Sequence, residues 1–480
     1  MILITNIIIF AFTFLLSSLF SLVEIMFFSS ILKSNNLLIT FGSKQVDLFY
    51  QSPLLLKNIK LIFVLFAFLA NLILFNYIFN YILSLFPKKT LKYNINNSNV
   101  LSINLGKIHN SDEDLLLPEK GLYQNILITG AIGSGKTSSA MYPITEQLIS
   151  YRSSSQKEKL GMLILDVKGN YYLQVLKFAS KYNRQDDVIP IEISGKYKYN
   201  PLDNPSLKAS VLANRLKTIL LLFSPNNSES YWIDKSETAL TEAIKLCRLY
   251  NDGYVTFSEI HNLITNYDYY LSKISYLRNC FTSNKFSRTQ IYDLLSSINF
   301  FENEFFSLDE RTLNILKSEI TRITNCFVSD SDVKNTFCPH KKDINFKGFY
   351  DVINSGKIVV LNMNINEYKN LSKIIATYLK LDFQTEVLRQ LANNNIIHPV
   401  AFISDEYSEY VSTTDANFFS QSRESKCINV VSTQSYTSLL HALNNKYSVE
   451  VIVQNLVNKL WFRSDDIFTI EDAQKQLRKN

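Results

Sequence analysis

Residues 125–139 read NILITGAIGSGKTSS. Ile126 to Thr129 form a short apolar run whose length and branching suit a strand buried on both faces of a parallel sheet. The run breaks at Gly130, after which Gly133, Gly135, Lys136 and Thr137 complete GxxxxGK[ST] without a gap. Glycines at these places let consecutive backbone N–H groups turn inward around phosphate oxygens. The next helix points its positive end at the same spot, with Ser134 and Ser138 inside the cradle. Lys136 is spaced to reach β- and γ-phosphates, and the Thr137 hydroxyl to ligate Mg²⁺. Only 12 of 480 residues are glycine, yet three fall within six positions here, which argues against an ordinary turn beside a surface lysine. The stretch implies a site for ATP with Mg²⁺.

A length of 480 residues accommodates two or three domains. The formal charge of +6 is only mildly basic and does not by itself declare a nucleic-acid partner. Five cysteines, Cys247, Cys280, Cys326, Cys338 and Cys427, are scattered and lack CxxC spacing. That argues against a disulfide framework and fits a reducing compartment.

Two uncharged stretches open the chain. Met1–Val23 would extend roughly 34 Å as a helix, and Leu61–Phe86 about 39 Å before Pro87-Lys88-Lys89 stops it. Both lengths suit bilayer crossing, so residues 1–92 are expected to be an anchor of two transmembrane helices. Lysines flank both sides of the second stretch, so the short loop is placed outside because a phosphate-binding domain needs cytoplasmic ATP. The expected location is the bacterial inner membrane, with the bulk of the chain in the cytoplasm.

Beyond residue 93 the pattern is α/β. Strand-like runs at Ile126–Thr129, Met162–Asp166, Val188–Ile193, Lys357–Met363, Val400–Asp405, Ile428–Thr433 and Lys459–Phe462 are mostly separated by helical stretches. That alternation marks a parallel sheet with crossover helices. Across 205–345 strand-like runs vanish, while Leu212, Leu216, Ile219 and Leu220, and then Leu313, Leu316, Ile320 and Ile323, mark helical stripes. We expect an all-α insertion between two parts of one nucleotide-binding domain, 93–204 and 346–480.

Two strand ends compete to hold the magnesium ion. LILDVKG ends at Asp166, and VAFISDEY at Asp405 and Glu406. Hydrolysis uses one carboxylate at the metal and another to polarise water, and only the second end offers adjacent carboxylates. Asp405 is therefore assigned to the metal with Thr137, and Glu406 to the base. Gln434 follows the next apolar run, at the carboxyl end where open α/β sheets bind ligands. Arg423, in the polar stretch SQSRESK, is spaced to reach a neighbouring subunit's phosphate.

Together these landmarks resemble the coupling ATPases of type IV secretion and conjugation systems, the TraG/TraD family. The resemblance is carried by GAIGSGKTSSAMYP with Pro143, LDVKGNYY with Asp166, Lys168 and Gly169, and YNPLD with Asn200, Pro201 and Leu202. SYWIDKSETAL with Trp232, SDEY, Arg423 and STQSYTSL with Gln434 complete it. Val167 replaces the proline of the family's Asp-Pro-Lys-Gly element, and the glycine expected after the arginine is missing. The resemblance implies a RecA-like P-loop domain, a homo-hexameric ring, and Arg423 completing the adjacent subunit's site. It also implies cargo of relaxase-bound single-stranded DNA or effector proteins, delivered to secretion-channel components. Two rivals are a double-stranded DNA translocase of the chromosome-partitioning type and a nucleotide-bound docking scaffold that does not pump. The first usually has more membrane spans, a long linker and a winged-helix reader.

Overall fold

A computed structural model describes residues 40–41, 44–45, 62, 65–75, 77 and 100–477, apart from 224–229, 284–285 and 393–396. Two units divide at Asn94/Ile95. In the first, β1 (Thr40–Phe41) pairs antiparallel with β2 (Lys44–Gln45). Residues 62, 65–75 and 77 are helical and expose Leu65, Phe66, Leu69, Ile73 and Leu74. The stretch Met1–Val23 lies outside the described residues, and Leu61–Phe86 is described only in that helical part. Among the described residues, no helix is long and apolar enough to cross a membrane.

In the second unit, β3 (Ser102–Lys107) and β4 (Asp114–Pro118) form an antiparallel hairpin. The other strands are β5 (Ile126–Thr129), β6 (Gly161–Leu165), β7 (Val188–Ile191), β8 (Ile358–Leu361), β9 (Val400–Ser404), β10 (Cys427–Thr433) and β11 (Asn458–Trp461). They make one sheet in the order β11-β5-β10-β9-β6-β8-β7, with every neighbouring pair parallel. Each of the seven apolar runs read from the sequence supplies one strand. Every residue of β5, β6, β8, β9 and β10 is buried, because helices cover both faces and neither side of these strands meets water.

Alternate residues feed two cores. Ile126, Ile128, Met162, Ile164, Ile403 and Val430 face Ile144 and Leu148 of helix Tyr142–Ser150 and Val175 of helix Tyr171–Lys181. Leu127, Leu163, Leu165, Phe402 and Val431 face the other way. That second core runs on without a break into the helical region.

Between Ile191 and Ile358 the described residues hold helices and no strand. Leu212, Leu216, Ile219 and Leu220 are fully buried on helix Ala209–Phe223, as are Leu316, Ile320 and Ile323 on helix Glu310–Val328, with Leu313 half-buried. The entry to these helices is pinned by Asn200, whose amide donates to the Val255 carbonyl at 2.8 Å and whose oxygen accepts the Leu202 N–H at 3.0 Å. Arg215 pairs with Asp382 at 2.9 Å, tying helix Ala209–Phe223 to helix Ile365–Ala392.

Candidate nucleotide site

The glycine loop leaves the carboxyl end of β5. Gly133 and Gly135 adopt φ of +74° and +96°, backbone that a side chain would strain. At Gly130 the limit is space, since a Cβ there would lie 2.5 Å from Cβ of Phe462 and 2.7 Å from the Ser134 hydroxyl. Edge strand β11 thus buttresses the loop, and the Ala131 N–H donates to the Arg463 carbonyl at 2.7 Å. The following helix opens with a wide π turn, Thr137–Met141, before Tyr142–Ser150. Pro143 has no N–H to offer the Ser139 carbonyl, so an ordinary α turn cannot close there.

Lys136 is buried and donates to the carbonyls of Gly130 at 2.6 Å and Ala131 at 3.4 Å. Its ammonium is therefore parked against the loop that it would share with a phosphate. Ser138 donates to the Gly135 carbonyl at 3.4 Å. The buried Ser134 hydroxyl oxygen has no partner among the described residues.

Asp405 follows β9 and is 2 % exposed. Across 268 positions of sequence, the Thr137 hydroxyl donates to its Oδ2 at 2.9 Å. Its Oδ1 accepts the Ser432 hydroxyl from β10 and the Glu406 N–H, the latter at 3.1 Å. Glu406 has left-handed backbone, with φ of 49° and ψ of 50°. Gln434, just past β10, donates from Nε2 to Glu406 Oε2 at 3.4 Å. Burial pushes the Glu406 carboxyl above its ordinary value, and the Asp405 charge adds to the rise. Lys136, the Gln434 bond and Lys168 oppose it.

The competing strand end lies next door, because β6 pairs with β9 and Leu165 sits opposite Ser404. Asp166 is 1 % exposed and turns its carboxylate onto its own loop. It accepts the N–H groups of Lys168, Asn170 and Tyr171 at 3.1, 3.0 and 3.1 Å. Burial raises this carboxyl, and those N–H donors offset part of the rise.

Arg423 is exposed in the turn ahead of β10. That strand's seven residues separate it from Gln434 by roughly 23 Å, so Arg423 lies at the opposite edge of the sheet, away from this chain's own phosphate loop. The structure thus gathers Gly130, Gly133, Ser134, Gly135, Lys136, Thr137, Ser138, Asp405, Glu406 and Gln434, and leaves Arg423 apart.

Ser432 was not singled out from the sequence. The signal was present, since a hydroxyl inside a fully buried strand needs a partner. Thr137 and Asp405 fit Mg²⁺, because a hydroxyl and a carboxylate 2.9 Å apart offer the hard oxygen ligands that this ion prefers.

No family model and no curated protein matches the chain. Among solved structures it is similar to the bacterial conjugative coupling protein TrwBdeltaN70, unbound, at 12% identity and a TM-score of 0.49, covering 75% of this chain and 71% of that one. The plasmid coupling protein TrwB in complex with ADP and Mg²⁺ gives 12% identity and a TM-score of 0.47 over 71% and 70%. VirB4 of Thermoanaerobacter pseudethanolicus gives 14% identity and a TM-score of 0.49 over 78% and 88%.

Proposed function

We propose that the chain is a membrane-anchored ATPase of the type IV secretion coupling class, hydrolysing ATP to move macromolecules toward a secretion channel. The observation that carries the ATPase reading is the 2.9 Å contact of Thr137 with Asp405, with Glu406 and Gln434 alongside. The coupling role rests on the motif resemblance.

In this reading the backbone of the glycine loop binds the phosphates and Lys136 swings from the Gly130 carbonyl onto them. Thr137 and Asp405 hold Mg²⁺, which when bound neutralises phosphate charge. Glu406 accepts a proton from water as the water oxygen bonds to the γ-phosphorus and the bond to the ADP oxygen breaks. Gln434 orients that water by sharing its amide with Glu406. Positioning and preorganised charge supply most of the rate enhancement in such transfers. Arg423, exposed and remote from its own loop, would serve the next subunit of a homo-hexameric ring. Cargo would be relaxase-bound single-stranded DNA, effector proteins, or both.

ATPase assay of the purified full-length chain tests the site. Lys136→Ala is expected to abolish turnover, and undiminished activity refutes the assignment. Near-zero hydrolysis by the unaltered chain, with nucleotide still bound, favours a docking scaffold. Capture of bound cargo from cells, with nuclease and protease treatments in parallel, identifies what is moved.

A further inference from the structure

The turn after β6 carries a lysine that the mechanism above leaves unused. It lies at the right edge, since the Asp405 N–H donates to the Leu165 carbonyl at 3.0 Å and so holds the ends of β6 and β9 together. Three backbone N–H groups, including that of Lys168 itself, bind the Asp166 carboxylate. Gly169 takes φ of +70°, and a Cβ there would lie 3.1 Å from the Asn364 backbone nitrogen. The Ile365 N–H donates to the Val167 carbonyl at 2.9 Å, so the loop after β8 braces the same turn. This turn is held by its neighbours on two sides, and its cationic side chain, Lys168, stays exposed.

Charge explains what such a lysine can do. Asp166, Asp405 and Glu406 bring three carboxylates to this part of the sheet edge. Lys136 is the side-chain cation already assigned there, on the β5 side of β9, and Lys168 stands on the opposite, β6 side. A terminal phosphoryl group entering beside three carboxylates needs positive charge on the Glu406 side as well as on the loop side. On the reading of this edge as a triphosphate site, we infer that Lys168 is a second, same-chain cation for the terminal phosphoryl group of the nucleotide. A diphosphate, which lacks that group, does not engage it.

The test compares a fluorescent ADP with a fluorescent non-hydrolysable ATP analogue on the full-length chain, alongside ATPase turnover. Lys168→Met is expected to bind the diphosphate within twofold of the unaltered chain and the triphosphate about tenfold more weakly. Its kcat should fall about a hundredfold, the usual effect of removing one preorganised charge donor. Lys168→Arg should recover most of the triphosphate affinity. A lysine that merely shapes the turn would weaken both nucleotides equally and lower the melting temperature, which overturns the inference. Unchanged triphosphate binding and turnover in Lys168→Met overturns it too. If Lys136→Ala is inactive while Lys168→Met is unaffected, only the Lys168 role falls. If Lys136→Ala binds and turns over normally, the site itself falls with it.

Discussion

β6 and β9 lie side by side, and each delivers an aspartate to the same edge of the sheet, yet the two carboxylates do different work. After Asp166 the chain curls back through Gly169, and the N–H groups of residues 168, 170 and 171 close on the carboxylate. After Asp405 the chain turns left-handed at Glu406, and the carboxylate is left facing the hydroxyls of Thr137 and Ser432. One aspartate shapes its own turn, and the other is available to the phosphate loop. The residue type does not separate these outcomes; the backbone of the next few residues does.

Support differs as well. The Asp166 turn is held by backbone groups alone, its own N–H groups on the carboxylate and the Ile365 N–H on the Val167 carbonyl. The loop carrying Glu406 stands on a buried network reaching into helix Ile365–Ala392. Lys380 donates to the Tyr410 carbonyl at 2.5 Å, the Ser412 hydroxyl at 3.0 Å and Asp415 at 2.6 Å. Asp415 also accepts from the Tyr407 hydroxyl at 2.6 Å, the Ser412 N–H at 2.9 Å and the Gln384 amide at 3.0 Å. Both charges are fully buried, and burial lowers the Lys380 ammonium despite its partner. Tyr407 follows Glu406 directly, so the network fixes one flank of Glu406 while its own N–H on Asp405 fixes the other.

The sharpest break between the two acidic ends is catalytic. Glu406→Gln should lower turnover about a thousandfold with nucleotide binding retained, as for loss of a general base. Asp166→Asn should cost less than tenfold in the same assay, and equal losses would erase the distinction. Stability comes next. Asp415→Ala strands the Lys380 ammonium and should destabilise the fold by about 3–5 kcal/mol in urea unfolding. Asp166→Asn removes one of two acceptor oxygens for three N–H groups and should cost about 1–3 kcal/mol. A larger loss for Asp166→Asn than for Asp415→Ala would reverse the ranking of the two supports.

The smallest effect concerns pH. Burial, and then the Asp405 charge, raises the Glu406 carboxyl above its ordinary 4.5. A raised carboxyl holds its proton more tightly in the folded chain. Its contribution to stability is therefore full below pH 4.5 and is lost as pH rises through the folded value. Without nucleotide, Glu406→Gln should resist urea slightly better than the unaltered chain at pH 7.5, an advantage that shrinks below pH 4.5. Equal midpoints at pH 7.5 would mean that the carboxylate is not strained.

Much of the site was legible because its parts are contiguous in the chain or mark strand ends. The glycine loop is one unbroken motif, and Asp405, Glu406 and Gln434 each follow an apolar run. The buried pair Lys380–Asp415 was not legible. Lys380 sits among Leu379, Leu381 and Phe383 on a helix, where a lysine ordinarily reaches water, and its partner lies 35 positions away. Ser432 was legible only as a hydroxyl in need of a partner.

By itself the sequence determined the seven strands of the parallel sheet, five of them buried throughout, and the glycine loop that leaves the first. Continuous apolar runs have no stable place except between two layers, and glycines at those positions permit backbone that other residues resist. Only the tertiary structure decided that β9 lies between β10 and β6, that Ser432 meets Asp405, and that Arg423 falls at the far edge. Pairing of parallel strands runs through backbone groups that every residue shares. Strand order therefore comes from the packing of the whole sheet, which no single stretch of chain records.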